Sequence, residues 1–386
     1  MKAIINANIV LNDRVISDSA LLFDGVIRDI VKYEDYDSDK VEEEIDANKK
    51  YVFPGFIDIH IHGFAGYDTM DEIPEAILEI SKGLVKTGVT SFLPTTMTMS
   101  MDRIENALKN IRKMMNIKTG YAKVRGAHLE GPFISEKFKG AQDSKYIISP
   151  NETLIENYAD CLKIVTLAPE SDGAIALIKK FKGEIVFSIG HTDSSYEGAI
   201  RAIDAGASHS THTFNAMTGL HHRKPGVVGA VLLRDDVNTE FIADQIHTHK
   251  DILKLMKKIK TSNHLILITD SMRAGGMQDG EYNLGGQRVF VKNNSARLED
   301  GTLAGSVLTM NKACKNMHDS GDSTLCDIAK MSSYNPARVL KLDDIIGSIE
   351  VGKVADLVIL NERFEVEKTF IDGNIVYDSD KEEINV

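Results

Sequence analysis

Cysteine is scarce in this 386-residue chain: Cys161, Cys314 and Cys326 are all it has, and no two form a C-x-x-C pair. An odd, sparse set excludes a disulfide framework and points to a reducing compartment, here taken as the cytoplasm. Long hydrophobic runs are missing too. No window reaches about 18 uninterrupted apolar residues, so no membrane span and no membrane partner are expected. The opening MKAIINANIVLNDRV has neither a long apolar core nor a cleavage site, and no signal peptide is expected. Excess positive charge is absent: the net charge is −12, which counts against a nucleic-acid partner. There is no solenoid-length repeat and no low-complexity segment. What remains, 42% hydrophobic and 26% charged, is a globular composition long enough for more than one domain.

From residue 54 onward, short β-branched apolar runs alternate with amphipathic stretches, the pattern of a parallel sheet wound with helices. Candidate strands lie at 56–60, 89–96, 124–130, 163–170, 184–191, 208–215, 239–247 and 264–270. Helical periodicity falls at 74–88, 101–115, 172–183, 194–206 and 250–260. Eight such units predict an α/β fold, a (β/α)8 TIM barrel over 54–345. An open doubly wound sheet is the alternative, but it would normally carry a Gly-rich phosphate turn after its first strand, where this chain has HIHG. An insertion at 275–305, rich in Gly and Asn turns, reads as a hairpin, and helical segments follow at 306–319 and through Asn335–Leu340. Both chain ends are strand-like. ALLFDGVIRDI has an Asp24–Gly25 turn, and the last stretch turns at Asp372–Gly373. Each end is too small to bury a core alone. Residues 1–53 and 346–386 are therefore expected to pair into a small β-sandwich domain.

The stretch PGFIDIHIHG at 54–63 ends a buried strand in His60 and His62. Residues two apart on a strand share a face, so both imidazoles can reach one point, as metal ligands must. Alone, H-x-H reads more readily as two satisfied histidines with Ile61 packed between. The other strand ends change that reading. They carry His128 and Glu130, Glu170, His191, His209 and His212, Asp244 and His247, and Asp270. Seven of the 12 histidines thus fall where a parallel barrel gathers its strand ends, the rim on which such enzymes place their sites. Imidazole and carboxylate without thiolate suit a divalent zinc, iron, manganese or cobalt ion. Asp270 is the candidate acid/base, with a helix-capping Asp as its plainer reading; for His247 the plainer reading is a core residue. The basic run HHRKPG at 221–226 is a candidate anion site in an acidic protein, with Arg223 suited to a phosphate. Small or amide-bearing rim residues at 140–142, 215–216 and 303–305 would let a ligand approach the backbone.

With these residues in hand, the chain resembles the amidohydrolase superfamily over nearly its whole length, and within it the deacetylases of amino-sugar phosphates. The resemblance rests on PGFIDIHIHG, HLEGPFIS…KGAQ, SIGHTDSSYEGAIRAIDAGA, THTFNAM…RKPG, ADQIHTH, LITDSM and LAGS, in that order. It implies removal of the acetyl group from N-acetyl-D-glucosamine 6-phosphate, giving D-glucosamine 6-phosphate and acetate. It also implies a barrel with a small β domain, assembled as a homodimer. By position, the metal ligands fall on Glu130, His191 and His212, and the acid/base on Asp270. Substrate contacts fall on Ala141, Gln142, Asn215, Ala216, Arg223, His247, Leu303, Ala304 and Gly305. Arg223 would grip the phosphate, in its own or the partner subunit. His60 and His62 leave a second metal open, so one or two ions, zinc or iron, are expected per chain. Strand four ends in Glu170 without a lysine, a departure from amidohydrolases with a carbamylated bridging lysine. A different amidohydrolase, or a non-catalytic relative on the same barrel, are the rival readings.

Overall fold

The computed structural model describes residues 1–320 and 322–381. Its centre is a curled parallel sheet wound with helices. In chain order the strands are β1 (Phe56–Ile61), β2 (Val89–Pro94), β3 (Ala127–Glu130), β4 (Leu162–Leu167), β5 (Val186–Ile189), β6 (His209–Ser210), β7 (Asn238–Ile242) and β8 (Leu265–Ile268). β1 pairs with β2, and β3 to β8 pair each with the next, always in parallel. A bridge between Thr95 and His128 carries the pairing from β2 to β3. At the other edge the Asp270 N–H donates to the His60 carbonyl at 2.9 Å, tying the end of β8 to β1. All eight strands stand where the alternating pattern places them.

The helices between them are α1 (Pro74–Leu84), α2 (Met101–Met114), α3 (Glu152–Tyr158), α4 (Ala174–Lys180), α5 (Tyr196–Ala205), α6 (Gly226–Leu233) and α7 (Lys250–Lys260), with α8 (Met310–Asp319) after the insertion. α1, α2, α4, α5 and α7 fall on the expected periodic stretches. α3 and α6 were not expected. α6, GVVGAVLL, is apolar all round and almost wholly buried, so it has no polar face to reveal a helical period. α3 spans only two turns, started by the Asn151 side chain accepting from the Leu154 N–H. The insertion is also richer than a hairpin. Gly280–Leu284, Gln287–Lys292 and Ser295–Arg297 form a three-stranded antiparallel sheet.

The chain ends build two further sheets. One orders Ile27–Lys32, Ser19–Phe23, Lys2–Ile5 and Glu43–Asp46; the other orders Asn374–Asp378, Val366–Ile371, Leu357–Leu360, Tyr51–Pro54, Asn8–Val10 and Val15–Ile16. N- and C-terminal strands therefore share one sheet. Phe23 of the first meets Phe370 of the second edge to face, with ring centroids 5.7 Å apart. The two expected hairpin turns touch. Gly373 adopts φ 73°, and a Cβ there would overlap the Asp24 carbonyl, so only glycine fits. Of the stretch 346–386 assigned to this unit, residues 382–386 lie outside the described residues.

Two ion pairs made by one lysine join the two parts. Lys123 Nζ, beside β2, lies 3.0 Å from Asp356 Oδ1 and 2.7 Å from Asp372 Oδ1. Burial pushes the Asp356 pKa up, and Lys123 and the Asp372 N–H pull it back only in part. A carboxylate whose folded pKa exceeds its unfolded value binds more protons when folded, so its contribution to stability is lost as pH rises. Lys123→Met removes the counter-charge and raises that pKa further. The expected loss is about 2–4 kcal/mol at pH 8, shrinking towards pH 4. Urea unfolding at both values measures it; a loss independent of pH would mean that Lys123 acts only through its methylene packing.

Candidate active site

Six buried side chains meet at the C-terminal end of the parallel sheet: His60 in β1, His62 just beyond it, Glu130 at the end of β3, and His191, His212 and Asp270 past β5, β6 and β8. Glu130 is the hub. Its Oε1 lies 3.0 Å from His212 Nε2 and 3.2 Å from His191 Nε2, and its Oε2 lies 3.2 Å from His62 Nε2. Asp270 Oδ1 lies 3.2 Å from His62 Nε2 and 3.6 Å from His60 Nε2. The donors fall into two sets, Glu130–His191–His212 and His60–His62–Asp270, each with its donor atoms within 4.8 Å of one another.

Strand alternation alone does not aim these groups. His191, His212 and Asp270 have φ of 47°, 28° and 48°, in the left-handed region. Each such residue costs about 1–3 kcal/mol and persists only where its surroundings enforce it. The turn redirects each side chain from the strand end into a shared space.

The donor set fits a divalent ion. The far nitrogens of three histidines rest on acceptors: His62 Nδ1 on the Thr95 carbonyl at 3.2 Å, His191 Nδ1 on the Phe138 carbonyl at 2.8 Å, and His60 Nδ1 on Glu240 at 3.0 Å. An acceptor there requires the proton on Nδ1, which leaves the Nε2 lone pair facing the common space. His60 Nε2 is buried with no hydrogen-bond partner, as expected of a nitrogen meant for a cation. The electrostatics agree. Burial works against charge on Glu130, yet His60 and His191 outweigh it and hold the carboxyl well below its usual range. Burial likewise opposes charge on His60, and Glu130, Glu240 and Asp270 overcome it, raising that pKa to about 9. The carboxylates demand positive charge, from imidazolium or from a metal ion.

A cavity of about 500 Å³ opens above this cluster. Of the expected substrate contacts, Ala141, Gln142, Asn215, Ala216, His247, Leu303 and Gly305 line it. Ala304 is buried between the last two. Gln142 is tied to the ligand set: its Nε2 donates to Glu130 Oε2 at 2.9 Å, and its Oε1 accepts the Thr98 N–H at 2.7 Å. His247 Nδ1 lies 2.7 Å from Asp244 Oδ2, which turns the ring's Nε2 side to the cavity wall. Arg223 is not brought into its own chain's cavity; it is exposed, with Nη1 2.6 Å from His222 Nε2.

Not all seven rim histidines converge. His128 is spent on the Ile59 carbonyl and Thr166, and His209 on Glu240, both below the site. Glu170 accepts from Thr192 and Asp193, away from the cavity. Two cavity-lining cations went unread in the sequence, Lys137 and Arg297. Arg297 ends the inserted sheet, and nothing in its local pattern says that this sheet overhangs the site. Glu240 also went unread, although a carboxylate inside the apolar run TEFIA was a signal, because a buried charge must be paired.

A family model for the amidohydrolase family matches residues 51–376. The chain belongs to the amidohydrolase family. Among relatives, it is 45% identical to the N-acetylglucosamine-6-phosphate deacetylase of Bacillus subtilis (strain 168), over 84% of each chain. It is 41% identical to the enzyme of that name from Lysinibacillus sphaericus, over 86% of this chain and 87% of that one. Among solved structures, N-acetylglucosamine-6-phosphate deacetylase from Pasteurella multocida superposes with a TM-score of 0.92 at 32% identity, covering 97% of this chain and 99% of that one. In an amidohydrolase the two donor sets are candidate metal positions. No helix among the described residues is long and apolar enough to cross a membrane.

A cation bound to a folded donor set stabilises it by mass action, about 2.7 kcal/mol at a free concentration 100 times Kd. Stripping metal with a chelator is therefore expected to lower Tm, and adding back zinc or iron to restore it. A melt unchanged by both treatments would show that these residues hold no ion.

Proposed function

We propose that this amidohydrolase removes the acetyl group from N-acetyl-D-glucosamine 6-phosphate, releasing acetate and D-glucosamine 6-phosphate, as a step of amino-sugar catabolism and recycling. The observation that carries this is the Glu130–His191–His212 set on the floor of a cavity sized for a small molecule, in a chain 45% identical to a deacetylase of that name.

Glu130, His191 and His212 would hold one divalent ion, zinc or iron, and His60, His62 and Asp270 a second, with Glu130 between them. Such an ion, when bound, supplies Lewis acidity toward the attacking water and the acetamide carbonyl. The chain's own groups do the rest. Asp270 takes the proton of the attacking water as its oxygen bonds to the carbonyl carbon. It returns that proton to the amine nitrogen as the C–N bond breaks, so the carboxylate is restored. His247, braced by Asp244, faces the substrate oxygen from the cavity wall. Gln142 holds the orientation of Glu130, and Ala141, Asn215, Ala216 and the 303–305 turn shape the sugar pocket.

The larger architecture follows from the same reading. The ties at both edges of the parallel sheet support a closed (β/α)8 barrel over 54–345, and the contact between Phe23 and Phe370 supports a small β-sandwich from 1–53 and 346–386. A homodimer would bring the exposed Arg223 of one chain to the other's cavity; the loop and α6 behind it expose Leu220 and Leu233, 54% and 66% accessible. Three free thiols support a cytoplasmic location.

Acetate release from N-acetylglucosamine 6-phosphate, beside the unphosphorylated sugar, tests the activity; no release from a metal-loaded sample would move the substrate elsewhere in the family. Asp270→Asn is expected to keep metal on the Glu130 set while kcat falls about 10²–10⁴-fold; a near-normal kcat would refute the acid/base role. Arg223→Ala is expected to raise KM for the phosphorylated substrate about tenfold or more, the loss of one charge-assisted contact, and to spare the unphosphorylated sugar. Equal effects on both would place the phosphate elsewhere, with Lys137 and Arg297 next in line.

A further inference from the structure

Beneath the site lies a buried relay that none of the roles above uses. Glu240, in β7, is fully buried. Its Oε1 lies 3.0 Å from His209 Nε2, and its Oε2 lies 3.0 Å from His60 Nδ1. The same Oε2 accepts the His212 N–H at 3.3 Å. Both oxygens are thus committed to donors on the side of His60 opposite Asp270, so Glu240 itself is not placed to ligate. His128 closes the space beside it, its ring centroid 4.6 Å from that of His60 and the planes 67° apart.

His60 differs here from the histidines around it. His191, like His62, leans its Nδ1 on a neutral backbone carbonyl. His60 leans on a carboxylate, which fixes the ring more firmly and makes its Nε2 a stronger donor. That Nε2 is the buried nitrogen left without a partner. The same carboxylate accepts the His212 N–H only at 3.3 Å, a longer and weaker contact than its 3.0 Å bond to His60, so the ring of His60 is what it chiefly holds.

We propose that Glu240, anchored by His209, is the positioning residue of the second metal site. It holds His60 in the tautomer and orientation that, with His62 and Asp270, take up a divalent ion beside the one on Glu130, His191 and His212. The proposal rests on the metal-dependent reading given above.

The test is a zinc titration of the metal-free full-length protein against a competing chelator, for wild type, Glu240→Ala and Glu240→Gln, with cobalt(II) absorption as a second readout. Wild type is expected to bind two ions per chain. In Glu240→Ala the second is expected to weaken about 10–100-fold while the first stays within about threefold. Glu240→Gln keeps an oxygen for His60, and His209 can change tautomer because its Nδ1 has no partner. It is expected to fold, and to weaken the second site alone by a smaller factor than Ala. It decides the matter if the alanine variant fails to fold. Two ions bound with wild-type affinity in both variants would overturn the proposal. So would equal weakening of both sites, which is what a purely structural role would give. A wild type that binds a single ion would instead remove the two-ion reading itself, and the positioning role with it.

Discussion

The site depends on one buried carboxylate. Glu130 ends a strand in the middle of the sheet, shielded from water, and a carboxylate there is tolerated only if its charge is answered. Four histidines answer it, three of them within 3.2 Å and His60 at 3.5 Å. They can converge because a parallel sheet puts every strand end on one side. They stay converged because each ring but one is pinned at its far nitrogen. The exception is His212, whose Nδ1 has no partner, and there the backbone does the holding through a positive φ. Strain at three of the donor-bearing positions, His191, His212 and Asp270, is sustained by the same contacts that satisfy the charge.

Much of this was legible in the sequence because its physics is local. Alternation brings His60 and His62 onto one face, β-branched runs between amphipathic stretches mark the eight strands, and Asp24–Gly25 and Asp372–Gly373 announce their hairpins. What was missed depends on contacts between distant segments. α6 has no polar face, so periodicity cannot detect it. The third strand of the insertion is three residues long, and the position of Arg297 over the cavity follows from how that sheet folds back. His128 and His209 were read with the site because they too sit near strand ends, but strand position does not say which way a residue faces after the strand has turned. Gln142, expected as a substrate contact, lines the cavity and also bonds through its amide to Glu130 and the Thr98 N–H.

Charge is distributed with the same economy. The chain carries a net −12, yet Arg297 and Lys137 line the cavity, Lys137 paired to Asp193 at 2.9 Å, and Arg223 stands exposed on a loop past β6. An anionic substrate would meet a repulsive protein at long range and a cationic rim close in, where screening over roughly 8–10 Å leaves the nearby charges dominant. The acidic residues that face inward are not free to repel it, because Glu130, Asp270 and Glu240 are already engaged with imidazoles.

The division between the two donor sets carries the last step. A single ion on Glu130, His191 and His212 would leave His60 Nε2 buried and unpartnered, a cost of the order of 1–3 kcal/mol that replacement by an apolar side chain would avoid. Instead the chain spends two further buried groups, Glu240 and His209, on keeping that nitrogen aimed at the common space. Buried polar networks of this kind are worse than an apolar core unless every member is satisfied. An ion at His60, His62 and Asp270, as proposed above, would give His60 Nε2 the partner it lacks, and would make the charges beneath the site part of the chemistry above them.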